Sequence, residues 1–349
     1  MPNKQGYYVS GNTAEGFVNF LSSNTSNFHH HIILKHPSYT IKTAIMQEII
    51  CEYENDFTIE VLYSSVGKEF LEGVIIRDKK LAVIDERIAI PNLNGAFELD
   101  LTLFFAQDLS TNISEENTEI IRLTQQAYNH FATGLSIHDD LETVYIQEMD
   151  FTKADTLFTN FITSLLGEVP KKEDKKPTIT KRLFGTNTKD GVVNVVPEIL
   201  KQLNTKYFLK GRAGTGKSTF MKKVMEACHE HGYDVELYHC SFDPKSVDMV
   251  LVRDLSFCIF DSTDPHEFFP KSSNEIIIDI YEEAVTPGTD EKYAYEIENL
   301  NSRYKSFMKK GIQELKQAGE IIQKVEEQFI VDSREIEKVK SFILGRILV

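Results

Sequence analysis

Short apolar runs alternate with polar loops and helical stretches along this chain, in the same order in each half. Each half carries a short apolar run, a loop with a helical stretch, a β-rich run, an apolar run that ends in Asp, and a final apolar run. These runs are Ile32–Leu34, Phe57–Tyr63, Leu81–Asp85 and Phe97–Phe105, then Tyr207–Leu209, Asp234–His239, Phe257–Asp261 and Ile276–Tyr281. Strands that alternate with helical segments predict an α/β fold with a mostly parallel sheet flanked by helices.

Two long charged stretches follow the apolar runs, one in each half. Residues 114–148 and 291–329 carry apolar positions at helical spacing among many charged ones. This pattern predicts helices. Because so many of their positions are charged, we expect helical appendages, either a solvated hairpin or a lid-like cover.

The two halves are related in sequence. SGNTAEGFVN at 10–19 aligns with GTNTKDGVVN at 185–194, and VIIRDKKLAVID at 74–85 aligns with VLVRDLSFCIFD at 250–261. A repeat of this length predicts two tandem domains. The segment 166–182 between them has two prolines and clustered charge, which is typical of a linker. We therefore expect a first unit at 1–165, a linker at 166–182 and a second unit at 183–349.

Both units share the pattern NTxxGxVN, at 12–19 and 187–194. Each copy contains one glycine and precedes the first apolar run, so it predicts a turn. That turn either covers a nucleotide base or ties the start of the unit to the sheet.

Composition and charge exclude several classes of protein. The 349 residues are 41% hydrophobic, which is enough for sizeable cores, and 38 Lys plus Arg face 53 Asp plus Glu, a net charge of −15. Nucleic-acid binding needs a basic face, so this charge argues against it. We expect no membrane span and no secretory signal, because the apolar runs are short. Four scattered cysteines without a CxxC pair indicate reduced thiols in a cytoplasmic protein.

The segment GRAGTGKST at 211–219 fits the phosphate-binding pattern G-x-x-x-x-G-K-[ST], and it lies between an apolar strand and a helical stretch. Glycines let the loop turn its N–H groups towards a phosphate, and the helix N-terminus adds partial positive charge. Lys217 can reach the β- and γ-phosphates, and the Ser218 hydroxyl can bind Mg²⁺. We expect ATP with Mg²⁺ here, held by Gly211, Ala213, Gly214, Thr215, Gly216, Lys217, Ser218 and Thr219.

The expected catalytic groups follow an apolar strand. Asp261 ends that strand 44 residues after Lys217, where an Asp holds Mg²⁺ in phosphate-loop proteins. The glutamate that often comes next in ATPases is absent, since position 262 is Ser. The nearest groups able to orient a water or accept a proton are Asp264, His266 and Glu267, which could equally form a turn and cap a helix.

The corresponding segment of the first unit, HPSYTIKTA at 36–44, lacks all three glycines. His36, Tyr39 and Ile41 stand in their places, and a β-branched residue such as Ile41 resists a positive φ. Lys42 remains at the lysine position. Residues 1–150 also carry 22 acidic and 9 basic side chains, a field that repels a polyphosphate. We therefore expect a degenerate first unit and one nucleotide per chain.

The segments NTAEGFVNF, LKGRAGTGKST, DVELYHCSFDP, FDSTDPHE and TPGTDEKY resemble a group of tandem-domain bacterial P-loop NTPases. That group occurs mainly in spore-forming Firmicutes and is described only as ATPases. The resemblance covers nearly the whole chain. It implies two P-loop NTPase-like domains and ATP binding, and it implies that a first unit commonly has a GxxGxGKS-type loop, from which HPSYTIKTA departs.

Three functional hypotheses follow. The first is a Mg·ATP-binding protein that hydrolyses ATP slowly and couples hydrolysis to a conformational change. The second is a kinase-like phosphotransferase acting on a small molecule or nucleotide, because the DSTDPHE segment could seat an acceptor. The third is a binding module in which nucleotide stabilises a shape that docks an unknown protein partner.

Overall fold

The computed structural model describes residues 4–105, 113–173, 176–264 and 267–347. The strands are β1 (Lys4–Tyr7), β2 (Ser10–Thr13), β3 (Gly16–Asn19), β4 (His30–Lys35), β5 (Ile59–Tyr63), β6 (Leu71–Ile76), β7 (Leu81–Asp85), β8 (Ala96–Asp100), β9 (Ile179–Leu183), β10 (Gly185–Thr188), β11 (Gly191–Asn194), β12 (Thr205–Lys210), β13 (Val235–His239), β14 (Val247–Val252), β15 (Phe257–Asp261) and β16 (Glu275–Asp279). The helices are α1 (Leu21–Asn24), α2 (Tyr39–Tyr53), α3 (Ile113–Ile146), α4 (Phe151–Leu166), α5 (Val196–Leu200), α6 (Lys217–Glu230), α7 (Ile280–Ala284), α8 (Thr289–Lys292), α9 (Ala294–Glu326) and α10 (Ser333–Ile347).

Two six-stranded sheets share one strand order. The first runs β1-β5-β6-β7-β4-β8, and the second runs β9-β13-β14-β15-β12-β16. Helices flank these sheets, so the predicted α/β class is confirmed. The last four residues of the expected linker, 179–182, belong to the edge strand of the second sheet.

The prediction of a mostly parallel sheet is wrong in the middle of each sheet. The strands β5, β6 and β7 are antiparallel neighbours, as are β13, β14 and β15, whereas the remaining pairs are parallel. Short connections explain the difference. Residues 77–80 join β6 to β7 through a single 3-10 turn, and parallel neighbours need a crossover of a dozen residues or more.

The NTxxGxVN pattern forms a third sheet that joins the two units. Its two copies are the hairpins β2–β3 and β10–β11, and β2 pairs with β10. The Asn12 side chain donates to the Asn187 carbonyl at 2.8 Å, and the Asn187 side chain donates to the Asn12 carbonyl at 2.8 Å. The repeated motif therefore binds its own copy across the interface.

The two long charged stretches pack against each other. Helices α3 and α9 are antiparallel, because His130 lies near Glu314 whereas Tyr145 bonds to Asp290. The expected solvated hairpin is wrong, since Phe131 is fully buried between the helices, beside Gly311. Apolar residues at helical spacing need an apolar partner, and each long helix finds it on the other unit.

Each unit also has a shorter helix that packs against the other unit. Helix α4 packs on the second unit, where Phe158 and Phe161 contact Phe220 of α6 at centroid distances of 5.5 Å and Phe161 contacts Tyr207 of β12 at 4.9 Å. Helix α10 buries Ile336, Val339 and Ile343 in the core beneath α2. The division into tandem domains at 166–182 stays a prediction, but these contacts cross it in both directions.

Among the described residues, no helix is long and apolar enough to cross a membrane. The four cysteines are free thiols.

Candidate functional site

The glycine-rich loop at 211–219 joins β12 to α6 and holds two glycines in the left-handed region. Gly214 has φ +72° and Gly216 has φ +82°, conformations that other residues rarely adopt. Gly211 is required for space, because a Cβ there would lie 2.5 Å from the Thr215 hydroxyl oxygen. The three glycines predicted to shape the loop therefore each have a steric reason.

Internal hydrogen bonds close the loop around the Arg212 carbonyl. The Thr215 hydroxyl and the Lys217 ammonium donate to this oxygen at 2.9 Å and 2.8 Å. Helix α6 then begins at Lys217, and its N-cap, Gly216, has no side chain to cap the first turn. Uncapped N–H groups at a helix start favour an anion.

Asp261 lies where the sequence predicts it, facing Lys217. The Lys217 Nζ is 3.6 Å from an Asp261 carboxylate oxygen. Asp261 also accepts a hydrogen bond from the Thr263 backbone N–H at 3.0 Å, and the Ser218 hydroxyl accepts one from Val247 at 2.9 Å. The Asp261 carboxylate and the Ser218 hydroxyl therefore lie beside the loop, and oxygen atoms of this kind are the ligands that Mg²⁺ prefers.

Asp248 was not predicted from the sequence. It lies on β14 and is 8% exposed, and burial together with the nearby Asp261 charge raises its pKa to about 7. The cation that the structure places nearest these two carboxylates is Lys217, which opposes the rise in the pKa of Asp248. The available signal was one acidic residue inside a strand of otherwise apolar residues, VDMVLV.

The structure pairs two of the expected catalytic groups with lysines. Asp264 accepts from Lys305 on α9 at 2.8 Å, and Glu267 pairs with Lys210 at 3.3 Å. His266 lies outside the described residues. Of the remaining loop residues, Ala213 is half-buried and packs beside the α3–α9 pair, whereas Thr219 is exposed in the first turn of α6.

Helix α3 of the first unit lies directly on the glycine-rich loop. A Cβ on Gly214 would be 2.3 Å from the Glu142 backbone carbonyl oxygen. Burial, and then the nearby Asp139 charge, raise the pKa of the Glu142 carboxyl group, with Lys217 opposing. No local sequence pattern marks Glu142, because it reaches the loop from the other unit.

Neighbouring groups hold the loop and α3 in place. His138 Nδ1 is 3.6 Å from a Glu142 carboxylate oxygen, and burial lowers the pKa of His138, with Lys217 adding to the effect. Arg212 forms an ion pair with Asp290 at 2.9 Å, and the same carboxylate accepts from the Tyr145 hydroxyl at 2.9 Å. Asp290, on the short helix α8 that precedes α9, thus links the loop to Tyr145 of α3.

The first unit's segment 36–44 forms a conventional capped helix start. Ser38 is the N-cap of α2, and its hydroxyl accepts from the Ile41 N–H at 3.1 Å. Glu326, at the end of α9, accepts from the N–H groups of Tyr39 at 2.7 Å and Thr40 at 3.0 Å. The first three N–H groups of α2 are therefore satisfied by protein oxygens.

Lys42 and Asp85, the first unit's counterparts of Lys217 and Asp261, form a buried ion pair. Lys42 Nζ is 2.9 Å from Asp85, and both side chains are at most 2% exposed. Arg87 also bonds to Asp85, at 2.8 Å, and stacks 3.8 Å from the Tyr39 ring centroid. Glu86 lies 3.9 Å from Lys42, so two carboxylates face these two cations.

In the described part of the chain, no group of three or more His, Cys, Asp and Glu side chains is arranged to hold a metal ion.

Comparison of the chain with protein-family models, with curated proteins and with solved structures found no match.

Proposed function

We propose that the second unit binds Mg·ATP in the 211–219 loop and hydrolyses it slowly, driving a conformational change. The observation that carries this proposal is the strand–loop–helix geometry, in which Gly214 and Gly216 take positive φ and Lys217 faces Asp261 at 3.6 Å. Loops of this shape direct backbone N–H groups at phosphate oxygens.

Each residue has a defined task in this proposal. The loop N–H groups and Lys217 hold the phosphates, since Lys217 needs only to leave the Arg212 carbonyl to meet them. Ser218 and Asp261 would hold Mg²⁺, directly or through water, and the ion would supply charge neutralisation on the phosphates. The chain itself binds and orients the nucleotide.

The position of the site between the units supports coupling to a conformational change. Gly214 contacts α3 of the first unit, and Arg212 binds Asp290 just before α9. Helix α9 then ends at Glu326 on the first unit's α2. A phosphate that rearranges the loop would therefore act on both long helices, and through α9 on the first unit.

The shared strand order of the two large sheets supports the view that both units are P-loop NTPase-like domains.

Three experimental outcomes distinguish the three functional hypotheses. Phosphate release without an acceptor supports hydrolysis, acceptor-dependent ADP formation supports a kinase-like phosphotransferase, and binding without turnover supports a nucleotide-stabilised binding module.

Substitution of Lys217 tests the proposal. Lys217→Ala removes a charge-assisted contact worth about 1.5–3 kcal/mol, so ATP affinity or turnover should fall at least tenfold. Isothermal titration calorimetry and a phosphate-release assay measure the two quantities. Lys222→Ala, an exposed lysine on the same helix, is the matched control and should change neither. Equal behaviour of the two variants, both folded, would reject the site.

A further inference from the structure

A buried carboxylate of the first unit, Glu72 on β6, is fully supplied with hydrogen-bond donors. It is 1% exposed and accepts from the hydroxyls of Ser10, Ser64 and Ser65 and from the Ser65 N–H. A buried carboxylate needs such partners, because an unpaired polar group is costly away from water. The sequence repeat aligns Glu72 with Asp248 of β14, so the two units can be compared at this position.

Asp248 is also buried, at 8% exposed, but the donors around it have changed. The counterparts of the three donor serines are Gly185, Cys240 and Ser241. Glycine has no donor side chain, a thiol is a weak donor, and the remaining serine must reach an Asp side chain that is one carbon shorter than Glu. Among the described residues, no N–H or O–H group donates to the Asp248 carboxylate.

The strand register places Asp248 opposite Asp261. Strands β14 and β15 are antiparallel, and Met249 pairs with Phe260. The same register, continued by one residue, brings Asp248 and Asp261 face to face, and residues so placed have Cβ atoms about 4.5–5.5 Å apart. The residue before Asp248 donates its N–H to the Ser218 hydroxyl at 2.9 Å. The unpartnered carboxylate therefore lies beside the start of α6.

The cations beside these carboxylates also differ between the two units. In the first unit, Lys42 and Arg87 both bind the strand-end Asp, at 2.9 Å and 2.8 Å. In the second unit, Lys217 is the counterpart of Lys42 and lies 3.6 Å from the strand-end Asp, but Thr263 replaces Arg87. The second unit thus keeps both facing carboxylates while it lacks the positive charge that Arg87 provides.

We propose that Asp248 and Asp261 together hold a divalent cation, which is the Mg²⁺ of the proposed Mg·ATP. The Ser218 hydroxyl would be a further ligand, and water or phosphate oxygens would complete the site, since one or two carboxylates with phosphates are the usual ligands of Mg²⁺. The inference rests on the proposed nucleotide binding for the phosphates alone. The two carboxylates should bind the metal before any nucleotide is present.

Titration of Mn²⁺ into the nucleotide-free full chain tests the site, because Mn²⁺ also prefers oxygen ligands and its free form is measured by electron paramagnetic resonance. The unaltered chain should bind Mn²⁺, and Mg²⁺ should displace it. Asp248→Asn should bind Mn²⁺ at least about tenfold more weakly. Asp254→Asn, exposed at the other end of the β14–β15 hairpin, is the matched control and should leave the affinity unchanged.

Urea unfolding gives a second readout that needs no metal. In EDTA at about pH 8.5, where carboxylates are ionised, Asp248→Asn should raise the unfolding midpoint, because it removes a buried charge without a partner. Glu72→Gln, the matched substitution in the first unit, should lower the midpoint, since an amide nitrogen cannot accept from the serine donors. Added Mg²⁺ should raise the midpoint of the unaltered chain but not that of Asp248→Asn.

Equal Mn²⁺ binding by the unaltered chain and Asp248→Asn, or no binding by either, would overturn the inference. A lowered midpoint of Asp248→Asn in EDTA would also overturn it, because Asp248 would then have protein partners in place of a metal. If these results occur while Lys217→Ala weakens ATP binding, the inference fails and the proposed function stands. If Mn²⁺ binds as expected but the chain binds no ATP, the cation site stands and the proposed function fails.

Discussion

At the scale of single residues, two glycines of the loop share a backbone conformation but differ in their surroundings. Gly214 and Gly216 both have positive φ, yet a Cβ on Gly216 would meet nothing within 4 Å, whereas one on Gly214 would strike the Glu142 carbonyl. Backbone strain and steric collision can therefore be separated by matched substitutions.

We expect Gly216→Ala to lower the free energy of unfolding by about 1–2 kcal/mol, the usual cost of a left-handed conformation for a residue with a Cβ. Gly214→Ala carries the same strain and must also push α3 away from the loop, so it should cost at least about 1 kcal/mol more. Urea unfolding of both variants measures the difference. Equal destabilisation would mean that α3 does not rest on Gly214.

His36 makes the stability of the first unit depend on pH. Its Nδ1 accepts the Ser38 N–H at 3.0 Å, which requires a neutral ring. Burial, and then Lys42, lower the pKa of His36 to about 4, against the opposing charges of Glu326 and Asp100. The unfolded chain binds a proton near pH 6.5, so this stabilisation is complete above about pH 6.5 and is lost as the pH falls towards 4.

We expect the free energy of unfolding to fall more steeply between pH 7.5 and 5 in the unaltered chain than in His36→Asn. Asparagine offers an acceptor for the Ser38 N–H but does not titrate. Urea unfolding at several pH values gives both slopes. Parallel slopes would show that His36 takes up its proton in the folded state as readily as in the unfolded chain.

At the scale of elements, helix α9 is fastened near both ends. Near its start, Asp290 binds Arg212 of the glycine-rich loop, and its last residue, Glu326, caps α2. In between, it packs along α3. An element held at two loops can transmit movement of one loop to the other.

Removal of the cap at α2 tests this attachment. Glu326→Ala leaves the Tyr39 and Thr40 N–H groups without their acceptor, which should cost about 2 kcal/mol of unfolding free energy. Glu327→Ala, the exposed neighbour, should change stability by less than about 0.5 kcal/mol. Urea unfolding compares the two. If both variants are as stable as the unaltered chain, the carboxylate contributes nothing to holding α9.

At the scale of the whole molecule, a buried ionic network joins the two large sheets. Arg182 is 3% exposed and binds Glu236 of the second sheet and, at 3.3 Å, Glu60 of the first. Arg77 and Arg253 complete the two symmetric pairs with these glutamates. Neighbouring arginines lower the pKa of both glutamates despite their burial, so the network stays charged. Separation of the two sheets would leave a buried charge without its partner. Because an unpaired buried charge is costly, the network holds the two units together.

The whole chain should bind one ATP. All three leading N–H groups of α2 already have acceptors, and Lys42 is paired with Asp85, so the described start of α2 has none of these donors free for a phosphate. Calorimetric titration of Mg·ATP should give a stoichiometry near one. That binding should vanish in Lys217→Ala. Two sites, or one site that survives this substitution, would contradict the prediction.

Much of the second unit's loop could be predicted from residues close together in the chain. The glycine spacing, the strand before it and the helix after it are short-range features, and Gly214 and Gly216 have the positive φ that such loops require. The different structure of 36–44, a capped helix start, agrees with its sequence, because a bulky or β-branched residue obstructs positive φ wherever the chain goes. Local stereochemistry needs no knowledge of the fold.

The partners that complete both loops depend on the tertiary structure. Glu326 reaches Ser38 across 288 positions of sequence, and the Glu142 backbone lies against Gly214 from the other unit. No local pattern specifies such pairs, because they follow from which faces α3 and α9 bury against each other. The same holds for α4 and α10, which pack against α6 and α2 of the other unit, far away in sequence. Hydrophobic burial is non-directional, so the pattern shows that a face must be covered, and only the assembled fold decides by what.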